Sequence, residues 1–177
     1  MNNASNSRSD STLTSSSRPL AVVFGLATAI LVVVFDIIIK QYITTILLND
    51  RGPIEVTQFF NLVLGFNRGV SFGLLSSESA WAPWALGAVA VLIAAWLAFR
   101  LLKTVRIVEA TGLGLIIGGA IANAVDRLAD GAVTDYLDFH VGDLHWPAFN
   151  LADAAIVCGV AIFAFFMTSA RNKPSLP

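Results

Sequence analysis

The chain is short of charge. Only 13% of its 177 residues are Asp, Glu, Lys or Arg, 56% are hydrophobic, and the mean hydropathy is +0.73. Soluble domains carry roughly 25% charged residues, so an ordinary water-facing surface is excluded. Cysteine is nearly absent: Cys158 stands alone, which rules out an intrachain disulfide. The two histidines, His140 and His145, fit no HExxH or Cys/His spacing, so neither a metal site nor a cofactor is expected. No serine has a basic partner at a recognisable spacing, which leaves Ser–His and Ser–Lys mechanisms without support. The formal net charge of −1 says little about partners, and no nucleic acid is expected among them.

What the chain does have is long apolar runs. Leu20 to Ile39 is twenty residues, which as a helix spans roughly 30 Å, about one hydrocarbon core. It is too long and too bulky for the apolar region of a cleaved signal peptide. Trp81–Leu102, Ile107–Val125 and Phe149–Met167 are three further spans. The third carries Gly114 and Gly118 at GxxxG spacing, a face that lets helices approach closely. Between spans one and two, residues 54–67 alternate apolar and polar and read as a short sheet outside the lipid. Asn49–Pro53 reads as a turn, and the glycine-rich 67–73 as a backbone lip beside a site. The expected fold is an all-α membrane bundle of four transmembrane helices with a small extracytoplasmic β-sheet, or cradle. Residues 1–18 read as a disordered Ser-rich cytoplasmic tail, 19–170 as the membrane domain with its β-rich insert at about 50–75, and 171–177 as a second cytoplasmic tail.

Charge sets the orientation. Arg8, Arg18, Arg100, Lys103, Arg106, Arg171 and Lys173 fall on one side of a four-span chain, which the positive-inside rule makes cytoplasmic. Asp36, Asn67, Asn123, Asp126, Arg127, Asp135, Asn150 and Asp153 then converge at the outer face. One such group can be structural: Asp36 with Lys40 at i+4 reads as an interfacial ion pair, and Asp153 as a residue opposite a helix dipole. Asp138 reads as an ordinary loop acid. Several acids and amides at one depth read as a site. Asp135, placed in a loop, and Asp153, in the first turn of the fourth helix, suit an acid–base pair. Two close carboxylates cannot easily both ionise, so one activates water while the other polarises a carbonyl.

Five blocks in order then carry a resemblance: FDIIIK at 35–40, FNRGVSFG at 66–73, GGAIANAVDR at 118–127, VTDYLDF at 133–139 and PAFNLADA at 147–154. The chain resembles the lipoprotein signal peptidases (signal peptidase II), which are membrane aspartic peptidases. The resemblance implies a catalytic pair at Asp135 and Asp153. It implies supporting roles for Asp36, Lys40, Asn67, Gly69, Asn123, Asp126, Arg127, Asn150 and Ala152. It implies cleavage of prolipoproteins before a diacylglyceryl-modified cysteine, at the outer face of a bacterial inner membrane. Membrane lipid and globomycin-type inhibitors are the other implied partners. Ile37 and Ile39 stand where the family usually has polar residues. Two other classes fit parts of the pattern: a small proton- or ion-coupled transporter, using the intramembrane acids, and a scaffold assembling through Gly114 and Gly118. Crowding of the acids at one end counts against transport.

Overall fold

The computed structural model describes residues 6–47, 52–69 and 81–171, with side chains described at 18–47, 52–69 and 81–166. Among the described residues four helices, α1 (Asn6–Leu47), α2 (Ala82–Leu101), α3 (Ile107–Asp130) and α4 (Leu151–Arg171), carry a four-stranded sheet at one end.

α1 buries Ala21, Gly25, Ala29, Val32, Asp36, Lys40, Ile43 and Leu47. Steps of three and four place all eight on one stripe of a 3.6-residue helix. The stripe runs past Ile39, so α1 continues eight residues beyond the first apolar run. At its other end α1 begins at Asn6 and so includes residues 6–18 of the Ser-rich stretch. Pro19 lies inside this helix, where it can donate no backbone hydrogen bond to the preceding turn.

α3 is the middle of the bundle and packs against α1, α2 and α4. Its small residues permit this. A Cβ on Gly118 would stand 2.7 Å from the Ala29 carbonyl oxygen of α1, and one on Gly119 would collide with the Ala152 carbonyl of α4. The GxxxG face read from sequence therefore packs α1, while the neighbouring glycine seats the turn of α4 that carries Asp153.

The outward surfaces are apolar: Ile30 is 62% exposed, Leu92 70% and Val157 68%. Three helices, over Arg18–Leu47, Ala82–Leu101 and Ile107–Asp130, are long and apolar enough to cross a bilayer. For α4 the described side chains cover only Leu151–Phe166, so among the described residues three of the four expected spans meet that length.

The sheet runs β1 (Ile54–Thr57), β2 (Phe60–Asn67), β3 (Val133–Val141), β4 (Leu144–His145), in that order, with antiparallel neighbours. β1 and β2 occupy the segment expected to be strand. The Asn49–Pro53 turn is described only at Gly52 and Pro53, and the glycine-rich lip only to Gly69. β3 corrects the sequence reading. Asp135 is not in a loop: it lies within a nine-residue strand, opposite Gly65 of β2. The α3 helix stops at Gly131, whose φ of 70° is the left-handed C-cap that glycine adopts freely, and β3 begins two residues later. Under the sheet, Ile43 and Leu47 of α1 bury against Tyr136, with Leu62, Leu64 and Leu137 around them. The sheet is thereby fixed to the end of α1.

Candidate active site

The site forms where β3 meets the first turn of α4. Asn150 is fully buried and is the residue before α4. Its Oδ1 accepts from the Asp153 N–H at 2.9 Å, and its own N–H donates to Asp153 Oδ2 at 3.2 Å. This is a reciprocal capping box, so Asp153 serves the helix start as well as facing Asn123. The rest of Asn150 faces β3. Its Nδ2 donates to Asp135 Oδ1 at 2.8 Å and lies 3.1 Å from Asn123 Oδ1 and 3.3 Å from the Thr134 carbonyl. One side chain therefore holds both carboxylates, Asp135 through its amide and Asp153 through its cap.

Each carboxylate has a second amide. Asn67 Nδ2 donates to Asp135 Oδ2 at 3.1 Å, and Asn123 Nδ2 donates to Asp153 Oδ1 at 2.7 Å. Asn67 is oriented in turn by Gly69, whose N–H donates to Asn67 Oδ1 at 2.8 Å and whose φ is 87°. All four carboxylate oxygens accept one bond from protein, and an oxygen has a second lone pair for water. Burial, and then the charge of Asp153, push the Asp135 carboxyl up to about 6; the bonds from Asn67 and Asn150 oppose the rise.

Behind the pair is a buried charge cluster. Lys40 Nζ lies 2.6 Å from Asp36 Oδ2 and 2.7 Å from Asp126 Oδ2, and donates to Asn123 Oδ1 at 3.3 Å. Asp36 is fully buried and Lys40 is 5% exposed, so this is no interfacial snorkelling pair. Asp36 Oδ1 accepts the Ala152 N–H at 2.9 Å, and Asp126 Oδ2 accepts the Thr134 N–H at 3.3 Å. The cluster thus ties α1 to the start of α4 and α3 to β3. Arg127 donates to the Asn123 carbonyl at 3.2 Å and lies in the field of Asp153, Asp135 and Asp126. Its Nε is buried without a hydrogen-bond partner among the described residues.

All eleven sequence-predicted residues are in this assembly. The sequence reading missed Tyr136, whose buried hydroxyl accepts the Leu151 N–H at 3.2 Å. Burial pushes its phenol up to about 12, so the group keeps its proton. With Tyr136, Asp36 and Asn150, the N–H groups of Leu151, Ala152 and Asp153 each have a side-chain acceptor. Asp138 was also misread. It is 6% exposed, accepts from Asn61 Nδ2 at 3.2 Å, and lies 2.9 Å from His145 Nδ1, which holds its carboxyl below the usual range. Its partner on β4 was not visible in the sequence because β4 is only two residues long. Ile37 lines a cavity of about 700 Å³ beside Lys40 and Asp126, and Ile39 packs under the sheet, so neither joins the polar network.

Helices with outward apolar belts and a polar centre walled off at one end define the class: an integral membrane enzyme. Its relatives narrow the class to a family. The model of the Signal peptidase (SPase) II family matches residues 28–169. A lipoprotein signal peptidase of Paraburkholderia phymatum is 42% identical over 141 residues, covering 79% of this chain and 84% of that one. One from Anaplasma phagocytophilum is 40% identical over 151 residues, covering 85% and 96%. A solved structure of a bacterial membrane enzyme, obtained by the in meso method at 2.3 Å, superposes with a TM-score of 0.70 at 25% identity over 86% of this chain and 93% of that one. The chain belongs to the signal peptidase II family and is a protease.

Proposed function

We propose that the chain removes signal peptides from prolipoproteins, cleaving before a diacylglyceryl-modified cysteine, with Asp135 and Asp153 as the catalytic pair. The observation that carries this reading is Asn150, which bonds both carboxylates and leaves each a free lone pair on every oxygen. A water between them loses a proton to the ionised member and attacks the scissile carbonyl. The protonated member donates to the carbonyl oxygen, and a proton then passes to the leaving amine. An Asp135 midpoint near 6 keeps its proton exchangeable close to neutral pH. Arg127, with its unpartnered Nε, is suited to bind a substrate carbonyl or steady the pair's charge.

The four helices all span the inner membrane in this reading, with both termini cytoplasmic and the pair at the outer face. The distribution of Lys and Arg supports that orientation. A lipid-anchored cysteine presents its scissile bond at that depth while its acyl chains stay in the bilayer. Globomycin-type cyclic peptides would compete for the same place. Transport is disfavoured, because the described polar groups gather at one end of the bundle.

The test is cleavage of a lipidated precursor by purified protein in lipid, with Asp153→Asn and Asp135→Asn compared with the parent. Each variant should insert and lose cleavage, and globomycin should block the parent. Cleavage at the parent's rate by either variant would remove that aspartate from the mechanism.

A further inference from the structure

We propose that the β3–β4 hairpin is a membrane-docking element, and that its apolar face enters the headgroup–acyl boundary at the end of the bundle that carries the aspartate pair. The hairpin is amphipathic with a period of two. Val141 pairs with Leu144, and the Trp146 N–H donates to the Phe139 carbonyl at 2.8 Å. Paired residues of an antiparallel ladder share a face, so Phe139, Val141, Leu144 and Trp146 stand together. Asp138, His140 and His145 take the other face, with the two imidazoles stacked 4.8 Å apart and His145 on the Asp138 carboxylate. On that face His145 bonds Asp138 and His140 Nδ1 lies 3.1 Å from the Gly142 carbonyl, while the apolar face lies open: Val141 is 80% exposed, Leu144 81% and Trp146 69%. An exposed apolar tip of this kind marks an interaction surface.

Two observations make lipid the occupant. First, the chain passes from the patch into an apolar helix within a few residues. Trp146 is five residues before the start of α4, whose outward residue Val157 is 68% exposed. Second, the patch shares its end of the bundle with an aromatic girdle. Trp81 and Trp84, at the start of α2, are 59% and 52% exposed. That end of α2 lies beside the end of α3 nearest the site, since a Cβ on Gly87 would touch Leu128 and Arg127. Three of the four tryptophans in the chain therefore lie at one end, as tryptophans do at a membrane interface. Docking would hold β3, and Asp135 with it, at the depth of the bilayer surface.

The experiment places the full chain in lipid nanodiscs with Trp81, Trp84 and Trp96 replaced by Phe, so that Trp146 alone reports. Its fluorescence should be quenched by lipids doxyl-labelled near the glycerol end of the acyl chain, and shielded from acrylamide. Val141→Asp with Leu144→Asp, added to that background, should abolish the lipid quenching. A second probe avoids the tryptophan changes: a nitroxide on Leu144→Cys, in a Cys158→Ser background, should relax faster with oxygen than with a water-soluble nickel chelate. Quenching of Trp146 by acrylamide but not by lipid, or a nitroxide favouring the chelate, overturns the proposal. So does shielding that appears only when a peptide substrate or another protein is added, which would make the patch a protein-binding surface.

Discussion

Asp135 makes stability depend on pH in an unusual direction, and Asp135→Asn isolates the effect. A carboxyl at about 6 in the fold and at 3.8 when unfolded binds its proton more tightly in the fold. Its contribution is fully present below about 4 and is lost as pH rises through about 6. At about 1.4 kcal/mol per pKa unit, the loss is about 3 kcal/mol. That is a large share of a typical stability of roughly 5–15 kcal/mol. The cause is burial: Asp135 is 4% exposed, so little water reaches the ionised form, and the bonds from Asn67 and Asn150 offset only part of that loss. Asp138 contributes with the opposite sign at lower pH, because its carboxyl is depressed and its contribution is lost as pH falls. It is present in both proteins and cancels in the difference. The assay is unfolding in a mild detergent, followed from pH 4 to 8 for the parent and for Asp135→Asn. The parent should lose about 2–3 kcal/mol relative to the variant across that range. Parallel curves would refute the claim that Asp135 is a desolvated, proton-sharing carboxyl.

Other outcomes follow from the network around the pair. Lys40→Met removes the cation between Asp36 and Asp126 and should cost about 3–5 kcal/mol in thermal unfolding, because Asp36 is left buried without a counter-charge; an unchanged unfolding temperature would contradict this. Tyr136→Phe deletes one oxygen and leaves the Leu151 N–H without its acceptor, at about 1–3 kcal/mol. If the first turn of α4 positions Asp153, kcat should fall roughly tenfold with KM unchanged; equal kinetics would leave Tyr136 purely structural. Gly119→Ala drives a methyl into the Ala152 carbonyl and should cost about 1–3 kcal/mol by prising α3 from α4. Its activity should fall by more than its unfolding temperature suggests, since Ala152 adjoins Asp153.

Sequence alone determined the membrane class, the helix order and the candidate residues. Twenty-residue apolar runs have few alternatives to a spanning helix, because lipid cannot satisfy free backbone groups. Costly carboxylates beside such runs point to function for the same reason. β3 was also within reach, since Leu137, Phe139 and Val141 alternate with Asp138 and His140. The stretch was read as a loop instead, and pairing with β2 some seventy residues earlier decided the matter. Only the tertiary structure could show that Asn150 joins the two aspartates. It alone revealed that Asp36 reaches across the bundle to the Ala152 N–H, and that Tyr136 completes the helix cap. These contacts join residues 15 to 116 positions apart. Periodicity along a chain reports which face a residue occupies. It carries no information about which atom of a distant segment will lie within 3 Å, which the packing of glycine-lined helices sets.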